Sequence, residues 1–269
     1  MSGACKSLKR SRQSYYRGVQ RQRKESLNHR KLIELIKPFR QLMPRIGGRK
    51  LCHLLKEKMV ENSIKMGRDR FFRWLREQDL LVKPKRSYVH TTQSNHRFWV
   101  YSNLIKDREL TGANQVWVSD ITYLRTREGF CYLALITDAY SRKIVGYDIS
   151  DSLELDGCRR ALFKAIQTAS DLSQLIHHSD RGIQYCYNQY VQLLRSNNIK
   201  ISMAAKGDCY ENDLAERVNG ILKDEFNLDT VFHSKKQAVE TVHQSIYIYN
   251  QHRPHWSINL QTPNNRHAA

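Results

Sequence analysis

Two strings decide the fold: LIHHSDRG (residues 175–182) and NDLAERVNGILKDEF (residues 212–226). In the first, a short apolar run delivers Asp180 to the end of a predicted strand. The second reads as a helix that carries Glu216 beside its apolar stripe, with Lys223 seven residues further on. Seven residues are nearly two turns, which places Glu216 and Lys223 on one face about 10 Å apart. A third carboxylate, Asp120, lies inside VWVSDITYL (residues 116–124), an alternating β pattern. A charge in mid-strand is costly unless it is ligated or hydrogen-bonded, and the end of an apolar strand is a usual place for functional residues in α/β sheets.

Each carboxylate alone has an ordinary explanation as a turn aspartate or a solvated helix glutamate. Together they form the all-oxygen donor set that a pair of hard divalent cations requires. In phosphodiester transfer one metal activates a water or a 3′-hydroxyl and the other stabilises the leaving oxygen, the ions standing about 3.5–4 Å apart. Asp120 is the natural bridging ligand, with Asp180 and Glu216 each completing one ion. Lys223 would then face the incoming DNA; its alternative is a solvated helix lysine.

The flanking pattern gives the architecture. FCYLALITD (130–138) and KIVGYDIS (143–150) are further β runs, which with residues 116–124 suggest an antiparallel meander. LELDGCRRALFKAIQTA (153–169) is an amphipathic helix with Leu155, Leu162, Phe163 and Ile166 inward. YNQYVQLLRSN (187–197) reads as a helix, IKISMA (199–204) as a strand and KKQAVETVHQSIYIYN (235–250) as a closing helix. The expected fold is α/β, a mixed five-stranded sheet with helices on its faces.

Charge divides the chain. The net charge is +19 over 269 residues, and residues 1–112 carry 28 Lys/Arg against 9 Asp/Glu while residues 113–269 carry 17 of each. All of the excess lies in the N-terminal part, the footprint of a polyanion-binding region joined to a neutral core. That region opens with a basic, aromatic-bearing lead, CKSLKRSRQSYYRGVQRQRK (5–24), either a basic tail or a short helix capped by Ser11. A helix is predicted from Leu27 to Phe39. PRIGGRKLCHLLKEKMV (44–60) and RDRFFRWLREQDLL (68–81) then read as two helices around a turn, with Leu51, Leu54, Leu55, Met59, Phe71, Trp74 and Leu75 inward. Arg68, Arg70, Arg73 and Arg76 occupy the other faces of the second helix, and Arg49 and Lys50 open the first. The pair fits a helix-turn-helix at about 43–82 that lays its second helix in the major groove; a small bundle with a solvated basic face is the alternative. The predicted organisation is a basic helical DNA-binding region (1–86), a linker (87–112) and a catalytic core (113–269).

The six cysteines are scattered without a C-x-x-C pair, so neither a zinc site nor a disulfide framework is expected. His177, His178, His252 and His255 lack a second pair at ligand spacing and are read as non-ligands. Asp138 is expected to make a turn hydrogen bond, while Asp148, Asp208 and Asp213 are expected to be exposed or loop-borne. No 18-residue apolar run or signal peptide is present, which predicts a soluble, cytoplasmic protein associated with the nucleoid.

The strings WVSDITYL, HSDRG-x-QY and KGDCYENDLAE, followed by a lysine, resemble the integrase core of bacterial insertion-sequence transposases, the group whose second reading frame (OrfB) supplies the catalytic region. The terminal YNQHRPHWSINLQTP resembles that family's closing signature through Tyr249, Asn250, Arg253, Pro254, His255, Leu260, Thr262 and Pro263. IGGRKL and DRFFRWLREQDLL resemble its helix-turn-helix. The departures are Ile183 for a small polar residue, Ala204 and Ala205 for Ser-Arg, and Tyr210 for Trp; none removes an acidic residue of the trio. The resemblance implies a ribonuclease-H-like core similar to retroviral integrase, an Asp-Asp-Glu (DDE) triad at Asp120, Asp180 and Glu216, and a basic partner at Lys223. It also implies Mg²⁺ or Mn²⁺, two per site, element ends and target as double-stranded DNA partners, and homo-oligomers on paired ends. The product of an upstream frame (OrfA) is a further implied partner. Two readings remain beside transposition: a nuclease of the same fold that never joins strands, and a non-catalytic DNA-binding regulator.

Overall fold

The computed structural model describes residues 11–83, 99–205 and 212–269. The expectations for Asp208, Tyr210 and the basic linker after Lys83 lie outside these residues. The chain divides after Lys83 into two compact units, each taken by itself below.

The first unit is helical. Helix α1 (Arg12–Leu42) runs for 31 residues, capped by Ser11, whose hydroxyl accepts from the Ser14 N–H at 3.1 Å. From Ser11 onward the lead and the predicted Leu27–Phe39 helix are therefore one element. Arg, Gln, Lys and Glu are good helix formers that outweigh the single Gly18, and Arg21 pairs with Glu25 one turn later at 3.2 Å. Helix α2 (Gly48–Glu61) buries Leu51, Leu55 and Met59, and helix α3 (Arg68–Glu77) buries Phe71, Trp74 and Leu75. Leu54 is only half-buried. Leu32 and Ile36 of α1 complete this small core. Arg68, Arg70, Arg73 and Arg76 are exposed on α3; Arg49 is exposed and Lys50 half-buried on α2. Two of the arginines have acidic neighbours: Arg70 meets Glu25 at 2.9 Å and Arg68 meets Asp69 at 2.9 Å.

The second unit is built on a six-stranded sheet. Its strands are β1 (Val116–Thr126), β2 (Gly129–Asp138), β3 (Ile144–Ser150), β4 (Ile176–Ser179), β5 (Lys200–Met203) and β6 (Val231–Phe232). The order is β3-β2-β1-β4-β5, with β6 paired to β1 off this path. The first three strands are antiparallel, as the meander predicted, while β4, β5 and β6 run parallel to their neighbours. The expectation of five strands is corrected by β6, whose two residues are too few to show a period.

Pleat alternation sorts the faces of β1. Trp117 joins one apolar cluster with Cys158, Ala161, Leu162 and Ala165 of helix α4 (Leu155–Thr168) and with Tyr190 and Leu194 of helix α6 (Asn188–Ser196). The short helix α5 (Ile183–Cys186) adds Tyr185 and Cys186 to that cluster. Val116 and Val118 point the other way, joining Ala215 of helix α7 (Asp213–Glu225). Helix α8 (Lys235–His252), a 3-10 turn (Trp256–Ile258) and helix α9 (Pro263–Ala268) complete the chain. Residues of the predicted linker also belong to this unit: Val100 and Tyr101 pack on the first cluster, Ile105 and Leu110 on the second. The Leu104 N–H donates to the Ser202 hydroxyl at 2.8 Å.

Two details of α4 differ from expectation. Phe163 is 52% exposed, and Asp148, read as exposed, is buried in β3. Its carboxylate accepts from Arg160 at 2.7 Å and Lys164 at 2.9 Å, both on α4. These cations satisfy the charge, a compensation invisible in strand periodicity.

Close approach of α4 to β3 depends on Gly146. A Cβ there would stand 2.3 Å from the Ala161 carbonyl oxygen and 2.7 Å from the Ala165 methyl. Backbone must move to admit it, so Gly146→Ala is expected to destabilise the core by about 1–3 kcal/mol, measured as a lowered midpoint in chemical denaturation.

Candidate active site

The middle of β1, the end of β4 and one helix frame the candidate site. In the parallel pairing of β1 with β4, Ser119 stands opposite Ser179, the last pair of that ladder. Asp120, midway along β1, and Asp180, just past the end of β4, are the next residues after that pair, so they lie side by side where the β1–β4 ladder stops. Asp180 bends back into an Asx turn, accepting from the Gly182 N–H at 2.9 Å. Asp120 falls on the face of β1 that meets α7. Its Oδ2 accepts from the Asn219 side-chain amide at 2.7 Å, and its Oδ1 from the Ile121 N–H at 2.9 Å. Asn219 lies one turn after Glu216, and residues three apart share a helix face. Glu216 itself is exposed and sits in the first turn of α7, where the helix dipole favours an ionised carboxylate.

The electrostatics bind the three together. Burial first, then the charges of Asp180 and Glu216, raise the Asp120 carboxyl to about 7 against the Asn219 and Ile121 hydrogen bonds. Like charges act this way only within electrostatic reach, so Asp180 and Glu216 each lie within that reach of Asp120. Among the described residues no three His, Cys, Asp or Glu side chains are drawn together as a group that could hold a metal ion. The donor chemistry nonetheless suits one: all three are hard oxygen ligands, and a cation would relieve the repulsion that holds Asp120 half-protonated at neutral pH.

Lys223 is half-buried, and its ammonium lies over the Tyr123 ring, 4.6 Å from the centroid. Burial lowers its pKa, while Asp229 and Asp120 raise it. The histidines are structural. His177 is buried, and its Nε2 meets the Ser119 hydroxyl at 2.7 Å and the Tyr190 hydroxyl at 2.9 Å. Burial, helped by His178, holds its pKa down at about 3, which keeps the ring neutral. His178 Nδ1 meets the Ser202 hydroxyl at 2.8 Å. His252 is exposed and His255 buried on the closing segment. Asp138, as expected of a turn residue, accepts from Ser141 and from the Asn114 N–H, and Asp213 is exposed at the start of α7.

Asn219 went unread in the sequence, although one signal was available: it is a polar residue inside the apolar run VNGIL, one turn beyond Glu216. Loss of a residue that orients a ligand typically lowers activity about 10–100-fold. Asn219→Ala is therefore expected to slow strand cleavage by about that factor while circular dichroism stays unchanged; an unaltered rate would show that Asp120 needs no such support.

The integrase core domain family matches residues 111–209, and a second integrase core domain family matches residues 197–263. The "Insertion element IS600 uncharacterized 31 kDa protein" of Shigella sonnei is 37% identical over 256 residues, covering 93% of this chain and 92% of that protein. "Transposase InsF for insertion sequence IS3A" of Escherichia coli (strain K12) is 36% identical over 175 residues, covering 65% of this chain and 56% of that protein. Among solved structures, a simian T-cell lymphotropic virus intasome in complex with PP2A regulatory subunit B56 gamma aligns with a TM-score of 0.51 at 15% identity, covering 84% of this chain and 72% of that one. At that identity the likeness speaks to the fold alone. By these matches, the chain belongs to the bacterial insertion-sequence transposases, with an integrase-type catalytic core.

Proposed function

We propose that Asp120, Asp180 and Glu216 are the catalytic carboxylates with which this transposase cuts element ends and joins them to target DNA, holding two Mg²⁺ or Mn²⁺ ions. As a member of its family the chain is a DDE polynucleotidyl transferase acting in DNA transposition. The observation that carries the residue assignment is the Ser119–Ser179 register, which sets Asp120 beside Asp180. The Asn219 bridge then ties that part of the sheet to the helix of Glu216.

The reaction is one displacement: a 3′-hydroxyl oxygen forms a bond to phosphorus as the bridging P–O bond breaks, the attacking hydroxyl gives its proton to solvent, and the leaving oxygen takes one from solvent to become a hydroxyl. Bound divalent ions would supply Lewis-acid activation of the attacking and leaving oxygens. The residues do the rest. Asn219 fixes the orientation of the Asp120 carboxylate, Glu216 stands in the first turn of α7, and Lys223 brings positive charge to a phosphate beside the acids. The exposed arginines of α3, with Arg49 and Lys50 of α2, support duplex binding by the basic region. Assembly of two or more protomers on paired ends, and cooperation with the upstream-frame product, complete the proposal.

The test incubates the protein with a labelled element end, target DNA and Mn²⁺, and separates products on a denaturing gel. Joined products are expected. Cleavage without joining would mark a nuclease, and retained binding without cleavage would mark a regulator.

A further inference from the structure

One edge of β1 is open beside the acidic trio. On that edge strand β4 pairs with Val116–Ser119 and β6 with Arg125–Thr126, and no described strand pairs there with residues 120–124, whose other edge is taken by β2. Asp120 opens this interval and Tyr123 lies within it. Tyr123 is 42% exposed and Phe130, on the neighbouring strand, is 51% exposed. Their rings meet edge to face, with centroids 5.7 Å apart and planes at 89°. The Lys223 ammonium lies over the Tyr123 ring at 4.6 Å, within electrostatic reach of Asp120. Arg125 stands nearby on the same strand, half-occupied by an exposed contact to Asp229 at 3.5 Å.

Two exposed rings side by side, at the lip of a catalytic site, leave apolar surface in water without closing any core. The row Phe130–Tyr123–Lys223 combines an aromatic surface with a cation held at fixed separation. A single nucleotide offers the matching pair, a π-face and a phosphate. Bases inside a duplex are already stacked on one another, so the aromatic part can engage only a base that has left its stack.

We propose that Phe130, Tyr123 and Lys223 form a subsite for one unpaired nucleotide of the DNA strand running past Asp120, its base against the Phe130–Tyr123 rings and its phosphate at Lys223. Tyr123 has two duties there: its face steadies the Lys223 ammonium by a cation–π contact, and its edge buttresses Phe130. The inference rests on the DNA-transferring role of the Asp120 centre.

The test measures fluorescence anisotropy of the full-length protein with a duplex carrying a short unpaired 3′ thymidine extension, and with the same duplex whose extension is abasic. The ratio of the two affinities isolates base stacking from phosphate contacts. The wild-type protein is expected to favour the thymidine extension by about fivefold or more, the usual scale of one stacked base. Phe130→Ala and Tyr123→Ala should bring the ratio toward one, and Tyr123→Phe, which keeps the ring, should preserve it. Should Tyr123→Ala unfold the core, seen in its melting curve, the more exposed Phe130→Ala decides alone. A wild-type ratio of one, or alanine variants that keep the preference, would overturn the subsite. So would alanine variants that keep the preference and instead change self-association by light scattering, since the rings would then serve a protein interface. Wild-type metal-dependent cleavage in the same preparation reports separately on the catalytic centre, so failure of the subsite and failure of that centre are told apart.

Discussion

Asp120→Asn is expected to abolish strand cleavage, by a thousandfold or more on the scale of about 4 kcal/mol of transition-state stabilisation, while DNA binding stays within about twofold. The same substitution should make the metal-free protein more stable above neutral pH, and that opposition is the informative part. The folded-state pKa of Asp120 is raised from 3.8 to about 7 by burial and by the charges of Asp180 and Glu216. The folded chain therefore holds a proton that the unfolded chain releases. This contribution is fully present below the unfolded pKa of 3.8 and is lost as pH rises through about 7. At pH 8 an ionised Asp120 burdens the fold by up to a few kcal/mol, since a tenfold change in proton affinity corresponds to about 1.4 kcal/mol. Asparagine keeps the shape, accepts from Ile121 through its carbonyl, and carries no charge.

Thermal melts of both proteins at pH 5 and pH 8, with and without Mg²⁺, check this. The variant should melt higher at pH 8 without metal, lose most of that advantage at pH 5, and gain less than the wild type from Mg²⁺. A variant that melts lower than the wild type at pH 8 would mean that Asp120 is ionised and satisfied by the protein alone. The trio would then be a structural network that needs no cation. Loss of DNA binding equal to the loss of cleavage would count against a purely catalytic role.

What the chain disclosed in advance follows from the reach of each signal. Alternation in VWVSDITYL placed Asp120 on a strand, and the apolar approach in LIHH placed Asp180 at the end of one, because period and burial are local properties. The helix of Glu216 was legible for the same reason. The parallel register that sets Ser119 against Ser179 was not legible, since register is decided by packing between segments far apart in the chain. Asn219 was hidden by its own economy. Its amide donates to a carboxylate 99 positions away, and only the fold reveals the partner. Asp148 was misread because its compensating cations, Arg160 and Lys164, lie on a helix one crossover later. The single span of α1 was not legible because the lead holds few apolar residues that could feed a core, where side-chain propensity and the Arg21–Glu25 pair carry the helix on.

Arg253 carries the second large effect. It belongs to the tail after α8 and is only 2% exposed, yet its guanidinium forks onto Glu225 with contacts of 2.9 and 2.8 Å. It also lies 5.7 Å from the Tyr249 ring centroid, and the Tyr249 hydroxyl donates to the Arg142 carbonyl at 2.9 Å. Glu225 ends α7, the helix of Glu216 and Asn219, so this pair fastens the closing segment to the element that carries the third acid. Removing one member of a buried pair leaves an uncompensated charge and typically costs about 3–5 kcal/mol. For a core of this size each kcal/mol moves the melting temperature by about 2–4 °C. Glu225→Leu and Arg253→Met should therefore each lower it by roughly 6–20 °C. Their combination should lose far less than the two together, because apolar replacement of both partners strands no charge. A double-mutant cycle by calorimetry gives the coupling directly. If the two losses simply add, Arg253 holds the tail by packing alone, and the ion pair is incidental to the placement of Glu216.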